Sequence, residues 1–299
     1  MGRRIALMLA LAGLVWVGLL PGAASAQTLD RIAATKTIHI GYVPDQAPFA
    51  IAKEGAPPTG YAIDLCNRAV AKIRESVPDL AVSYVETSLV DAFDAVAAGQ
   101  IDLLCGAITV TLGRREKVDF SEPIFITGVS GLLRKDSPRD LRELFLGERT
   151  ISPPRSPEMR PFSTSHVGVR SETTTEAVLR RAIEEGGYGA TVAEFPTHEE
   201  GLAALEDREI DAYFADHALL AELFARARHP SRLIIGTRLL THDVYGIAMG
   251  RGDAEFRLLV DRALSAFYAT PDFAALLGTY FGAQATQLQS QIEAMSVPE

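Results

Sequence analysis

Twice along this chain, short apolar runs alternate with amphipathic stretches, and that alternation leaves few folds open. The first set starts at IHIGY (38–42), which reads as a buried strand. Residues 62–76 then place Ile63, Cys66, Ala69, Val70 and Ile73 on one helical face. AVSYVE (81–86) is the next strand, Leu89, Phe93 and Val96 form a short helical stripe, and IDLLC (101–105) is again strand-like. A βαβαβ order calls for crossover connections and hence a mainly parallel sheet covered by helices. The second set runs through HVGV (166–169), a helix opened by TTTE and reaching about Glu184, and ATVAEF (190–195). A helix near 198–207, IDAYF (210–214) and a helix to about 228 complete it.

Between the sets, Ile126 to Arg134 is a strand long enough to cross from one unit to the other. After RLIIG (232–236), the stretch VYGIAMGRGD supplies a second crossing. Helices follow at about 253–268 and 271–281, and the polar, Gln-rich residues 283–299 read as a loose tail. Thr150–Ser165 carries four Pro and no periodicity, the mark of a surface excursion. The expected architecture is α/β with two lobes, one made of 37–127 and 243–282, the other of 128–242. DAFDAVAAGQIDLLCGA (91–107) also lies without gaps on EGLAALEDREIDAYFAD (200–216), through chance or because the halves are duplicates. In a duplicate, Ala107 and Asp216 end equivalent strands, and open α/β sheets take ligands beyond the carboxyl ends of their strands.

Arg3 and Arg4 precede a charge-free apolar run, Ile5–Leu20, and Ala24-Ser25-Ala26 supplies the small-x-small pattern of a cleavage site. Residues 1–26 are accordingly expected to be a secretory signal peptide, with a retained anchor as the alternative. The formal net charge is −9 and no basic cluster stands out, which argues against nucleic acid or an anionic membrane as partner. Two Cys in an exported chain read as one disulfide, Cys66–Cys105, or as two buried thiols. The six His show no HxH or HxxxH spacing, and no GxSxG elbow or phosphate-binding glycine loop is present. Neither a metal, a cofactor nor an enzymatic activity is expected.

CGAITVTLGRREKVDF (105–120) follows the first lobe's strand end directly. Its arginine pair is either a solvated patch or an anion reader, since an Arg fork grips a carboxylate through two charge-assisted hydrogen bonds. On the other lobe, SETTTEAVL (171–179) opens a helix where Thr173 or Thr174 can cap the turn, offer a hydroxyl to the same anion, or both. Asp216 is the complementary anion, suited to an ammonium. A cation on one wall and an anion on the other describe a receptor for an α-amino acid.

Taken together, GYAIDLC, GQIDLLCGAITVTLGRREKVDFSEPIF, SETTTEAVL, DAYFADHALL and VYGIAMGRGD resemble the periplasmic solute-binding proteins for polar amino acids that serve ABC importers. The likeness runs from about Thr37 to Phe281 and is greatest to the glutamate/aspartate-type branch. It implies a two-lobed, type II binding-protein fold in the periplasm, a monomer whose partners are an amino acid and a membrane permease. It implies that Arg114 and Thr109 hold the ligand carboxylate with Thr174, that Asp216 and the main-chain carbonyl of Ala107 hold the ammonium, and that Leu89 lies against the ligand. His198 matches a polar pocket position of the branch, or is a plain helix-cap residue. The arginines that hold an acidic side chain in that branch fall on Val43 and roughly Ala92, so a neutral or small polar amino acid is expected. Gln46 stands where members often place an aromatic, leaving Phe49 or Tyr42 as substitutes. The alternatives are an exported cyclohexadienyl dehydratase-like enzyme using His198 or Glu172 as acid, or a ligand-sensing module.

Overall fold

The computed structural model describes residues 27–146 and 162–298, so the expected signal peptide and most of the Pro-rich excursion lie outside the described residues. Two five-stranded sheets organise the rest. In the first, Ala81–Glu86, Thr37–Tyr42 and Leu103–Leu104 run parallel, and Ala248–Gly250 and Val118–Phe120 continue the sheet with antiparallel pairings. In the second, Thr191–Phe195, His166–Arg170 and Ala212–Asp216 run parallel, followed by Val129–Arg134 and Leu233–Ile235 in antiparallel pairing. Each sheet is thus a parallel three-stranded unit extended by two further strands, one of them returned from a crossing segment.

Apolar periodicity explains the helices. Tyr61–Arg74 buries Ile63, Cys66, Ala69, Val70 and Ile73, the stripe expected of it, and packs on Ala254–Tyr268. Cys66 and Cys105 are joined in a disulfide, so the helix is tied to the end of the Leu103–Leu104 strand within the first lobe. For a loop of this length, chain-entropy reasoning puts the stabilisation at about 4 kcal/mol at most.

The gap-free internal similarity recurs in three dimensions. Helices Leu89–Ala97 and His198–Glu206 are each capped by a hydroxyl residue, Ser88 and Thr197, which accept from the N–H of Asp91 and Glu200. Asp102 accepts the His39 N–H at 2.7 Å, and Asp211 accepts the His166 N–H at 2.9 Å. An arginine meets each of these carboxylates, Arg31 in the first lobe and Arg134 in the second. A Cβ placed on Gly41 would sit 2.5 Å from Ile101 Cδ1, and one on Gly168 would sit 2.5 Å from Ile210 Cδ1. The same helix cap, aspartate and glycine–isoleucine contact therefore recur in both lobes, while the arginines come from different elements.

The lobes are linked by Phe125–Thr127 paired antiparallel with Asp243–Tyr245. Each expected crossing strand is in fact broken in two, Phe125–Thr127 from Val129–Arg134 and Asp243–Tyr245 from Ala248–Gly250. Gly128 sits at the first break, where a Cβ would lie 2.1 Å from the Thr241 carbonyl oxygen, so no side chain fits where the two crossings approach.

Three expectations are corrected. Residues 283–299 are not a loose tail: Ala285–Glu293 is a helix whose Leu288 and Ile292 enter the main core, because they fall one turn apart on one face. The regular pattern starts before residue 38, with helix Gln27–Thr35, whose Ile32 is fully buried. A short hairpin, Ile51–Lys53 with Ala56–Thr59, was also not expected, since its exposed residues carry no apolar alternation. Among the described residues, no helix is long and apolar enough to cross a membrane.

Candidate functional site

On the first lobe, the chain leaving Leu103–Leu104 turns across the strand ends. Arg114 lies in the short helix Leu112–Arg115, whose Thr111 hydroxyl accepts the Arg114 N–H. The guanidinium donates from Nη1 to the Thr109 carbonyl at 2.7 Å and stacks 4.5 Å from the centroid of Phe93. One nitrogen and one face are thereby fixed, which aims the remaining donors. Burial draws the Arg114 pKa down to about 10, opposed by the charge of Asp216, so the group stays cationic at neutral pH.

On the second lobe, Thr173 caps helix Thr174–Glu185, accepting from Glu176 N–H and donating to the Arg170 carbonyl. That commits Thr173 to the cap and leaves Thr174 as the threonine facing the first lobe. Its hydroxyl lies 3.3 Å from that of Thr109, across the interlobe boundary. Asp216 ends strand Ala212–Asp216 and is 5% exposed. One of its oxygens accepts the Tyr245 hydroxyl, while Oδ1 is buried with no partner among the described residues. Burial pushes the Asp216 carboxyl up to about 6, against the pull of the Tyr245 hydrogen bond and the Arg114 charge.

His198 begins helix His198–Glu206, and its main-chain N–H donates at 2.6 Å to Asp45 of the first lobe. Its ring Nδ1 lies 2.9 Å from the Tyr213 hydroxyl. Burial, aided by the nearby Arg170 charge, lowers its pKa to about 3, so the imidazole is neutral.

These pieces enclose one cavity of about 30 Å³. All seven residues expected at the site, Leu89, Ala107, Thr109, Arg114, Thr174, His198 and Asp216, line it together. Arg170 and Phe214 line it as well and were not anticipated as such, and so does Gln46, which stands where members often place an aromatic. Gln46 accepts the Ala107 N–H at 3.0 Å through its side-chain oxygen, which pins the loop that carries Thr109. Neither proposed aromatic substitute reaches the cavity: Phe49 is fully buried against Phe125 and Tyr245, and Tyr42 donates to Glu86. The aromatic wall is Phe214, from the opposite lobe. Glu172 is exposed and lines an outer cleft of about 590 Å³, outside the inner cavity; Leu89 and Arg170 border both spaces. A separate cleft of about 350 Å³ near Arg134 and Leu233 is ringed by charges already paired with one another, as in Arg134–Asp136 and Arg208–Asp136.

A cavity closed between two α/β lobes, with a guanidinium on one wall and an unpartnered carboxylate oxygen on the other, defines a two-lobed binding protein. The comparisons agree with that class. Residues 38–283 match the model of bacterial extracellular solute-binding proteins, family 3, and the chain belongs to that family. It is 27% identical over 258 residues to the L-glutamate/L-aspartate-binding protein of Pseudomonas aeruginosa, covering 85% of this chain and 80% of that protein. It is 27% identical over 244 residues to the glutamate/aspartate import solute-binding protein of Salmonella typhimurium, covering 81% and 75%. Among solved structures, an ancestral amino acid-binding protein described as a precursor of cyclohexadienyl dehydratase superposes with a TM-score of 0.67 at 24% identity, covering 85% of this chain and 99% of that one. The fold is therefore shared with a lineage that leads to an enzyme.

Proposed function

We propose that this protein captures an α-amino acid between its lobes in the periplasm and presents the closed complex to the permease of an ABC importer. The Arg114 fork, with the hydroxyls of Thr109 and Thr174, takes the α-carboxylate, and Asp216 takes the ammonium. The single observation that carries this reading is Asp216 Oδ1: a buried carboxylate oxygen with no partner among the described residues, in a residue that lines the same cavity as a cation on the opposite wall. Such a group costs stability unless something positive reaches it. Closure is a hinge motion at Phe125–Thr127 and Asp243–Tyr245, the paired segments that carry the chain between lobes.

Isothermal calorimetry with a panel of L-amino acids tests the site. Arg114→Ala and Asp216→Ala should each weaken binding by roughly a hundredfold or more, because each leaves the partner charge of the ligand buried and unmatched. Unchanged affinity in both variants rules the assignment out.

The same geometry favours binding without chemistry. A dehydratase needs a proton donor in the cavity, yet His198 is neutral near pH 7 and Glu172 stands in the outer cleft. Incubation with prephenate or arogenate should give no aromatic product.

A further inference from the structure

Arg170 ends strand His166–Arg170 and borders both the inner cavity and the outer cleft. Its side chain is largely inside the protein, the residue being 8% exposed. Nε donates to the Pro196 carbonyl at 3.2 Å, and the Thr173 hydroxyl holds the Arg170 carbonyl at 2.8 Å, so the residue is fixed at both ends. Nη1 is buried and has no hydrogen-bond partner among the described residues. Buried guanidinium nitrogens without an acceptor are rare, because the desolvated charge needs a counter-group.

The neighbouring groups do not supply that acceptor. Asp45 is near enough for its titration to feel the Arg170 charge, but its Oδ2 is held by the His198 N–H and it makes no hydrogen bond to Arg170. His198 is occupied at Nδ1 by Tyr213 and is itself disfavoured as a cation by Arg170. Glu86, Asp91 and Glu172 line the outer cleft without pairing to Arg170. Val43 and Ala92 on the first lobe are buried and apolar, at 1% and 0% exposure.

Building on the zwitterion site proposed above, we infer that Arg170 is the specificity-determining cation of this protein: it receives a second carboxylate, so the ligand is an α-amino dicarboxylic acid. The ligand's amino-acid end lies at Arg114 and Asp216, and its side chain runs past Leu89, which borders both spaces, to the open nitrogen of Arg170. Arg170 belongs to the second lobe, so this contact forms as the lobes meet around the ligand.

Calorimetry at one pH and ionic strength should compare L-glutamate and L-aspartate with L-glutamine and L-asparagine. The amides match the acids in shape and lack only the charge. The native protein should hold one of the acids at least about tenfold more tightly than its amide, as expected for a buried charged hydrogen bond. Arg170→Met should abolish that preference mainly by weakening the acid, and Arg170→Lys should keep part of it. Equal or tighter binding of the amides by the native protein overturns the inference whether or not a variant folds. So does a preference that persists in a cooperatively folded Arg170→Met protein. Glutarate separates the two readings: if it binds as well as glutamate, the ammonium site at Asp216 fails while the role of Arg170 stands. If the amides bind tightly and depend on Asp216, the zwitterion site stands and the role of Arg170 fails.

Discussion

Asp216 is held in a place that suits a ligand better than it suits the empty protein. Its carboxyl pKa in the fold is about 6, against an ordinary value of 3.8, and burial is the main cause. A raised acid stabilises the fold only while protonated: the contribution is complete below about pH 4 and is lost as pH rises through about 6. At pH 7.5 the ionised group therefore costs stability. Asp216→Asn should raise the melting temperature of the ligand-free protein by a few degrees at pH 7.5, with the gain vanishing near pH 4, while amino-acid binding is lost. Thermal unfolding at the two pH values checks this, and a melting temperature that falls at pH 7.5 contradicts it. At this scale the sequence was informative wherever chemistry was local. Thr109 and Arg114 sit five positions apart around one short turn, and Thr174 follows a cap motif that can be read directly. Arg170 was hidden because a charged residue at a strand end looks solvated until the neighbouring lobe covers it. Phe214 was hidden for the same reason, since its neighbours in the cavity come from distant segments.

Among the secondary-structure elements, those with a strong period were legible and those with weak ones were not. Tyr61–Arg74 carries a full apolar stripe and was placed to within two residues at either end. Leu103–Leu104 proved shorter than the apolar run around it, because regular pairing with Thr37–Tyr42 covers only Ile40 and Gly41. The C-terminal helix was missed because two apolar residues among polar ones are a faint signal. Yet Leu288 is 6% exposed and Ile292 is fully buried. Ile292→Ala should cost about 2–4 kcal/mol, the range for emptying a core aliphatic site. Chemical denaturation measures this directly, and ligand affinity should be unaltered because the helix packs against Phe125–Thr127 and the two preceding helices rather than lining the cavity. A loss below about 0.5 kcal/mol would return this segment to the status of a dispensable tail.

The whole molecule is two copies of one solution joined by a narrow link. The mirrored pairs Asp102 and Asp211, Gly41 and Gly168, and Ile101 and Ile210 show that the same local contacts are built in each lobe. The lobes also meet at the cavity, where the Thr109–Thr174 hydroxyl contact and the His198–Asp45 bond cross the boundary. The two-lobed α/β plan was legible because each lobe repeats a periodic pattern, whereas the break in each crossing strand was not, since an apolar run looks continuous across Gly128 and Gly246.

Glu86, Asp91 and Glu172 set three carboxylates around the outer cleft. A visitor bearing net negative charge must pass this fence, on a chain of formal charge −9, before it meets any buried cation. Capture should then be slow in dilute buffer and quicken as added salt shortens the reach of the carboxylates from about 30 Å at 0.01 M to about 10 Å at 0.1 M. Stopped-flow fluorescence across that range should show the arrival rate of L-glutamate rising with ionic strength, where most charged ligands of oppositely charged receptors show it falling. A rate that falls instead would mean that the traffic into this cleft is drawn by the cations behind the fence rather than delayed by the fence itself.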